Sequence, residues 1–158
     1  MLESQLAEHN ETNAAMNLVL FNDAMQHVAR IARIIGQPKG NALLVGVGGS
    51  GKQSLARLSA YICQYEVFQV KISAAYNIPA FKEDLAFMYK RAGCKSIGQL
   101  FLFTDQQIVD EKMLVFLNDM LSSGDIPGLF PTEDIDDIIN DFEDGFRAAK
   151  KPRLVANK

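Results

Sequence analysis

The residues with the clearest chemical potential form a glycine-rich segment that ends in a lysine, Gly46-Val47-Gly48-Gly49-Ser50-Gly51-Lys52. The spacing matches G-x-x-x-x-G-K, which binds nucleotide phosphates when it lies between a strand and a helix. Glycines let the main chain curl with some residues at positive φ, so that successive amides converge on one phosphate. The lysine ammonium and the N-terminus of the next helix add positive charge. We call residues 46–52 the glycine-lysine loop; its alternative interpretation is a glycine-rich turn that carries a lysine by chance.

The pattern departs from its usual form at the residue after the lysine. Ser or Thr at that position supplies the hydroxyl that holds Mg²⁺, whereas this chain has Gln53, followed by Ser54. Successive helical residues are turned by about 100°, so Ser54 points elsewhere. The amide oxygen of Gln53 reaches a cation only from a longer and more mobile side chain. We therefore expect ATP or ADP to bind, with Mg²⁺ as a possible cofactor in weakened geometry.

A second set of candidate residues follows the apolar run at 100–104. Asp105 stands where the predicted strand ends, and a carboxylate there can hold Mg²⁺ through water; its alternative role is a strand-end cap. Gln106 occupies the position of the glutamate that polarises the attacking water in hydrolytic proteins of this kind. Because glutamine cannot accept a proton near neutral pH, general-base help worth roughly 10²–10⁴-fold is lost. Asp110 and Glu111 are alternative bases, but both are expected on the exposed side of the following helix.

The elements that must position these residues alternate between helices and strands, which is typical of an α/β fold with a parallel sheet flanked by helices. The run Ala42–Val47 is wholly apolar, as expected for a strand buried on both faces. Apolar spacing predicts helices at Asn22–Ile35, Lys52–Cys63, 78–92 and 108–121, a last helix from Glu133, and two further strands at Val67–Ile72 and Leu100–Thr104. Asn77 is the expected N-cap of the helix at 78–92. The apolar stripes expected on four of these helices are, in chain order, Ala24, Met25, Val28, Ile31, Ala32 and Ile35; Leu55, Leu58 and Ile62; Phe81, Leu85, Met88, Tyr89 and Ala92; and Ile135, Ile138, Ile139, Phe142 and Phe146. We expect one domain over residues 1–148 and a basic, disordered tail at 149–158.

Composition excludes several classes of partner. The chain has 158 residues with 16 basic and 19 acidic side chains, and its net charge of -3 argues against a nucleic-acid-binding surface. Apolar runs reach only about six residues against roughly 20 for a membrane span, so no membrane partner is expected. The start of the chain lacks the features of a signal peptide. Cys63 and Cys94 are predicted to be reduced thiols, and His9 and His27 have no metal-ligand spacing.

Four blocks of sequence together closely resemble the fourth AAA+ module of dynein heavy chains, with the axonemal branch closer than the cytoplasmic one. The resemblance covers residues 3–148, the N-terminal part of the large subdomain of that module. The blocks are Asn13–Phe21, Gly40–Leu55, Phe101–Gln107 and Leu117–Phe130.

The resemblance implies a regulatory nucleotide-binding module of a microtubule motor whose six AAA+ modules form a ring. Gly46–Gln53 would then be the Walker A loop with Lys52 as its phosphate lysine, Asp105 the Walker B carboxylate, and Leu18–Phe21 a segment near the adenine. Implied partners are the neighbouring AAA+ modules of the same heavy chain, the dynein complex and, indirectly, the microtubule. The implied location is cytoplasmic and cytoskeletal, in the axoneme of the cilium.

The resemblance also implies that this stretch is incomplete, because a full module continues into a sensor strand and a helical lid. In the family, the sensor strand lies between the strands at 42–47 and 100–104. Without it, these two strands either pair directly or leave unpaired edges, which invite aggregation or completion by another chain. The alternatives to a regulatory module with weak or absent hydrolysis are a non-catalytic fragment that acts only by association and a small independent P-loop ATPase or kinase.

Overall fold

The computed structural model describes residues 2–16 and 18–140. The predicted tail at 149–158, and the last part of the last predicted helix with Phe142 and Phe146, lie outside these residues. The described elements, in chain order, are α1 (Leu2–Thr12), α2 (Asn22–Ile35), α3 (Lys52–Ile62), β1 (Glu66–Phe68), α4 (Ile78–Cys94), β2 (Gln99–Phe101), a 3-10 turn (Asp105–Gln107), α5 (Lys112–Ser122) and the helical residues 132–140, which we call α6.

The sheet in the described residues consists of two parallel strands. Glu66 pairs with Gln99, and the register continues through Val67 with Leu100 to the last pair, in which Phe68 lies opposite Phe101. The prediction of a parallel arrangement between these two segments is therefore confirmed. Both strands are shorter than predicted, since the chain leaves the ladder after the main-chain bond from Leu102 to Phe68, 2.8 Å long.

The predicted strand at Ala42–Val47 is wrong, since residues 42–47 form no strand in the structure. The side chains of Leu43, Val45 and Val47 are 89%, 85% and 77% exposed. No main-chain partner within the described residues bonds to residues 42–45, because β1 and β2 pair with each other and not with this segment. A strand forms only where its main chain makes hydrogen bonds with an adjacent strand, and an apolar sequence alone cannot supply that partner. The two apolar segments do not pair with each other, and of the two expected outcomes the structure shows unpaired main-chain groups, at residues 42–45.

Helices α2 and α3 form the first of two packed regions. The predicted apolar stripe of α2 is confirmed, with Ala24, Val28, Ile31 and Ile35 buried. On α3 the buried residues are Ala56, Leu58, Ser59 and Ala60, so the predicted stripe is correct at Leu58, while Leu55 and Ile62 are half-buried. This packing fixes the helix that follows the glycine-lysine loop.

The second packed region surrounds α4. Phe81, Leu85 and Met88 are buried, as the helical spacing predicts, and they join a cluster with Val70, Met113, Ile126 and Leu129. The predicted N-cap is confirmed, because the side-chain oxygen of Asn77 accepts a hydrogen bond from the Ala80 amide at 3.1 Å. The helix runs through Gly93 to Cys94, beyond its predicted end.

Helices α5 and α6 both differ from their predictions. Helix α5 begins at Lys112, later than predicted, because the chain first forms the 3-10 turn after β2. On α6, Ile138 is half-buried but Ile135 and Ile139 are exposed, so the predicted apolar stripe is only partly covered within the described residues.

Candidate nucleotide-binding site

The glycine-lysine loop curls in the way that its glycines predict. Gly49 and Gly51 have φ values of 74° and 75°, the left-handed region that side chains other than glycine rarely adopt. Gly51 also serves as the N-cap of α3. Its carbonyl oxygen accepts the first main-chain hydrogen bond of the helix, from the Leu55 amide at 2.9 Å. Glycine is therefore needed at these two positions for the turn itself.

Lys52 folds back into the loop that precedes it. Its Nζ donates to the carbonyl oxygens of Gly46 at 2.8 Å and Val47 at 2.7 Å, and to the hydroxyl of Ser50 at 3.2 Å. A Cβ atom at Gly46 would lie 3.8 Å from this ammonium group, in ordinary contact. A phosphate that reaches Lys52 must therefore replace two carbonyl acceptors with its own oxygens.

The first turn of α3 offers hydrogen-bond donors that the protein does not use. Within the described residues, the amides of Lys52, Gln53 and Ser54 donate to no main-chain or side-chain acceptor. Three neighbouring N–H groups at the positive end of a helix suit an anion. Together with the Lys52 ammonium, these donors fit the phosphates of a nucleotide.

An apolar side chain flanks the loop on one side. Cδ1 of Leu18 lies 3.6 Å from the position that a Cβ atom would take on Gly51. The sequence resemblance places Leu18–Phe21 near an adenine, and the structure does bring Leu18 beside the loop. Val19 and Phe21 are exposed.

An open cleft borders α3. It has a volume of about 1100 Å³ and separates α3 from α1 and residues 13–16. Gln53 and Ser54 both contribute to its lining. The amide group of Gln53 has no hydrogen-bond partner within the described residues and can turn toward a ligand.

Asp105 and Gln106 lie in the 3-10 turn after β2, which we call the Asp105 turn (Asp105–Gln107). Both side chains are exposed. Asp105 is four residues beyond the end of β2 at Phe101, so the turn and not the strand positions the carboxylate.

The topology brings the Asp105 turn to the same edge of the sheet as the glycine-lysine loop. Only residues 63–65 connect α3 to β1, so the helix runs back along the strand and its N-terminus lies near the strand's C-terminal end. Because β2 is parallel to β1, its C-terminal end lies at that edge too. A hydrogen bond from Arg57 on α3 to the side chain of Gln69 supports this arrangement. No direct hydrogen bond joins Asp105 to residues 46–52 in the described structure.

One polar residue of this region was missed by the sequence reasoning. Gln107 is buried, with 6% of its surface exposed. Its Oε1 accepts from the Thr104 amide at 2.9 Å and from the Thr104 hydroxyl at 3.3 Å, while its Nε2 donates to the carbonyl oxygen of Val70. The signal was present in the sequence, because Thr104-Asp105-Gln106-Gln107 has the T-x-x-Q spacing of a capping box.

The residues suited to Mg²⁺ are few. No group of three or more His, Cys, Asp or Glu side chains in the described part of the chain could hold a metal ion. Asp105 and Gln53 carry side-chain oxygens of the type that Mg²⁺ binds, and Mg²⁺ is commonly held by one or two carboxylates together with phosphate oxygens and water. These residues fit a metal that arrives with a nucleotide. Among residues 2–16 and 18–140, no helix has the length and hydrophobicity of a membrane crossing.

Comparison with known proteins identifies the family. Residues 16–157 match the family described as "P-loop containing dynein motor region D4". The chain is 64% identical over 139 residues, 88% of its length, to "Dynein alpha chain, flagellar outer arm" of Chlamydomonas reinhardtii. It is 56% identical over 148 residues, 94% of its length, to "Dynein beta chain, flagellar outer arm" of the same organism. It is 54% identical over 147 residues, 93% of its length, to "Dynein axonemal heavy chain 11" of Sus scrofa.

The match to the family covers most of the sequence, and the chain therefore belongs to the dynein heavy chain family, in its motor region. It spans only 3% of the length of each of these three relatives.

Proposed function

We propose that this chain is the nucleotide-binding part of a regulatory AAA+ module, the fourth of its ring, in an axonemal dynein heavy chain. It binds ATP or ADP and hydrolyses it slowly or not at all. The observation that carries this proposal is the combination of three unused amides at the start of α3 with the Lys52 ammonium inside the glycine-lysine loop.

Lys52 and the start of α3 bind the phosphates. The Lys52 ammonium leaves the carbonyls of Gly46 and Val47 and takes phosphate oxygens in their place. The amides of Lys52, Gln53 and Ser54 donate to the same phosphate chain, and the partial positive charge of the helix N-terminus stabilises it. Leu18, beside Gly51, provides an apolar contact for the base.

Asp105 and Gln53 are the residues that would hold Mg²⁺ beside the phosphates, the carboxylate through water. The ion, when bound, neutralises negative charge on the phosphate oxygens. Gln106 orients water through its amide but takes no proton from it, so the step that generates hydroxide lacks a base. This supports nucleotide binding with weak hydrolysis.

The relatives suggest where the whole protein acts. Two of them are named as flagellar outer-arm chains and one as an axonemal heavy chain. We infer that the longer protein works in the axoneme of a cilium or flagellum, next to other AAA+ modules of its own heavy chain, and reaches the microtubule through the rest of the motor.

Calorimetric titration of the 158-residue chain with ATP and with ADP tests the proposal. We expect saturable binding, and at about 100 times the dissociation constant a gain of roughly 2.7 kcal/mol in unfolding free energy. Lys52→Ala should abolish both, whereas Lys95→Ala, which removes an exposed lysine just after α4, should change neither. A folded chain that gives no heat with either nucleotide contradicts the proposal.

A second candidate function is association without nucleotide. The exposed side chains of Leu43, Val45 and Val47, together with the unpaired main chain of residues 42–45, favour it. Concentration-dependent self-association in a chain that fails to bind nucleotide would support this alternative.

A further inference from the structure

The buried side chain of Gln107 connects two parts of the candidate site. Through its oxygen it holds the amide and hydroxyl of Thr104, where the Asp105 turn begins. Through its nitrogen it holds the carbonyl of Val70, just beyond the end of β1. Both ends of the side-chain amide are thus engaged, and a buried amide loses free energy if it gives up its partners, so its orientation is fixed.

The residue before Val70 faces α3. The side chain of Gln69 accepts a hydrogen bond from Arg57, in the helix that begins at Lys52. Residues 69 and 70 therefore connect to α3 by one hydrogen bond and to the Asp105 turn by another. This short connection fixes the turn that carries the carboxylate relative to the helix that carries the glycine-lysine loop.

We propose that Gln107 is a positioning residue for Mg²⁺-nucleotide: it holds the Asp105 turn so that the carboxylate faces the metal at the N-terminus of α3. This inference rests on the proposed nucleotide binding. Gln107 touches neither the nucleotide nor the metal and acts through Thr104 and Asp105. Replacement of a residue that orients a metal ligand in this way lowers metal affinity by roughly 10- to 100-fold.

The test compares ATP affinity with Mg²⁺ and with EDTA, in the 158-residue chain and its variants. Gln107→Met keeps the length of the side chain and removes its three hydrogen bonds. We expect ATP affinity in EDTA to stay within about twofold of the unaltered chain, because Lys52 and the α3 amides are untouched. The increase in affinity that Mg²⁺ brings should fall by roughly tenfold or more.

A double variant separates positioning from a general structural role. Asp105→Asn should lose the same Mg²⁺ effect, and Gln107→Met combined with it should lose no more, because both act on one interaction. The control Gln37→Met replaces an exposed glutamine after α2 and should retain the full Mg²⁺ effect. Hydrogen exchange of the Thr104 amide, which donates to Gln107, should be faster in Gln107→Met and unchanged in the control.

If Gln107→Met does not fold, Gln107→Asn serves the same purpose, since its amide is one methylene too short to reach both Thr104 and Val70. The inference is overturned if a folded Gln107 variant shows faster Thr104 exchange but keeps the full Mg²⁺ effect while Asp105→Asn loses it. It is also overturned if ATP binds the unaltered chain with no Mg²⁺ effect, a result that leaves nucleotide binding intact. Absence of ATP binding in both buffers overturns the proposed function together with this inference.

Discussion

Two glycines of the glycine-lysine loop carry a backbone conformation that other residues adopt at a cost. At Gly51 the neighbouring Leu18 methyl leaves ordinary room for a Cβ atom, so the cost of a side chain lies in its φ of 75° and not in crowding. At Gly48 no atom lies within 4 Å of a Cβ position, and φ is not in the left-handed region. Gly51 and Gly48 thus form a matched pair: both have room for a Cβ atom, but only Gly51 has a left-handed φ.

Gly51→Ala should lower the unfolding free energy by about 1–2 kcal/mol, the cost of placing a side chain in the left-handed region, and should weaken ATP binding by displacing the α3 amides. Urea denaturation and calorimetric titration measure the two effects. Gly48→Ala should leave stability within about 0.5 kcal/mol. Equal loss of stability in both variants would show that φ is not the cause.

A tyrosine outside the site makes stability sensitive to alkaline pH. Burial, with a smaller contribution from the Asp84 carboxylate that accepts its hydroxyl hydrogen bond at 2.5 Å, raises the pKa of Tyr76 above its usual value. In the unfolded chain the hydroxyl loses its proton at about pH 10, while in the folded chain it keeps it. The folded state then binds more protons, so stability present below pH 10 is lost as the pH rises further.

We therefore expect the unfolding free energy of the chain to fall above about pH 10, and to fall less steeply in Tyr76→Phe. Tyr89, whose pKa is also raised by burial and by the charge of Asp125, should contribute in the same direction. Denaturant unfolding at several pH values between neutral and strongly alkaline measures the slopes. Parallel slopes for Tyr76→Phe and the unaltered chain would contradict the assignment.

The sequence predicted the conformation of some single residues but not the contacts of others. Positive φ in the loop follows from glycine, and it was predicted. The capping role of Asn77 follows from its position before Ile78 and Pro79, and the structure confirms it. The partners of Lys52 and the contact of Gln107 with Val70 depend on where distant parts of the chain fold, so no local pattern reveals them.

At the scale of elements, α3 ties the site to a packed interior. Leu58, in the second half of α3, is fully buried. Leu58→Ala should lower the unfolding free energy by about 2–5 kcal/mol, the range for a large buried side chain that leaves a cavity. Leu114→Ala, at an exposed position of α5, should cost less than about 1 kcal/mol. Thermal or urea unfolding of both variants measures the two costs, and a Leu58→Ala cost no larger than that of Leu114→Ala would contradict the burial of Leu58 in the core.

The helices were predicted well because their signals are local. Apolar spacing located α2 within its observed bounds and located the buried face of α4. The strand predicted at 42–47 failed for the opposite reason: its apolar composition is local, but its hydrogen bonds would have to come from elsewhere in the fold. The two observed strands, β1 and β2, overlap their predicted positions because apolar composition is a local signal. Their lengths were not predicted, because the end of a strand depends on the hydrogen bonds of its partner.

At the scale of the whole molecule, the exposed segment at 42–45 offers unpaired main-chain groups flanked by apolar side chains. Such an edge pairs readily with another chain. Val45→Lys should therefore reduce self-association, measured by sedimentation velocity over a range of concentrations, because a charge on the segment disfavours pairing.

The control Val115→Lys places the same charge on α5, where helical bonds already satisfy the main chain, and should have a smaller effect. If the two variants reduce self-association equally, net charge and not the segment is responsible.

The hydrogen bonds of Lys52 also determine which anions the loop admits. At rest, the positive charge of this side chain is already solvated by two carbonyls and a hydroxyl, so a small monovalent anion such as chloride offers too little in exchange. A chain of linked phosphates supplies several charged oxygens at once and also meets the helix amides. If the loop binds a nucleotide as proposed, discrimination against common cellular salts begins before the base or sugar makes any contact.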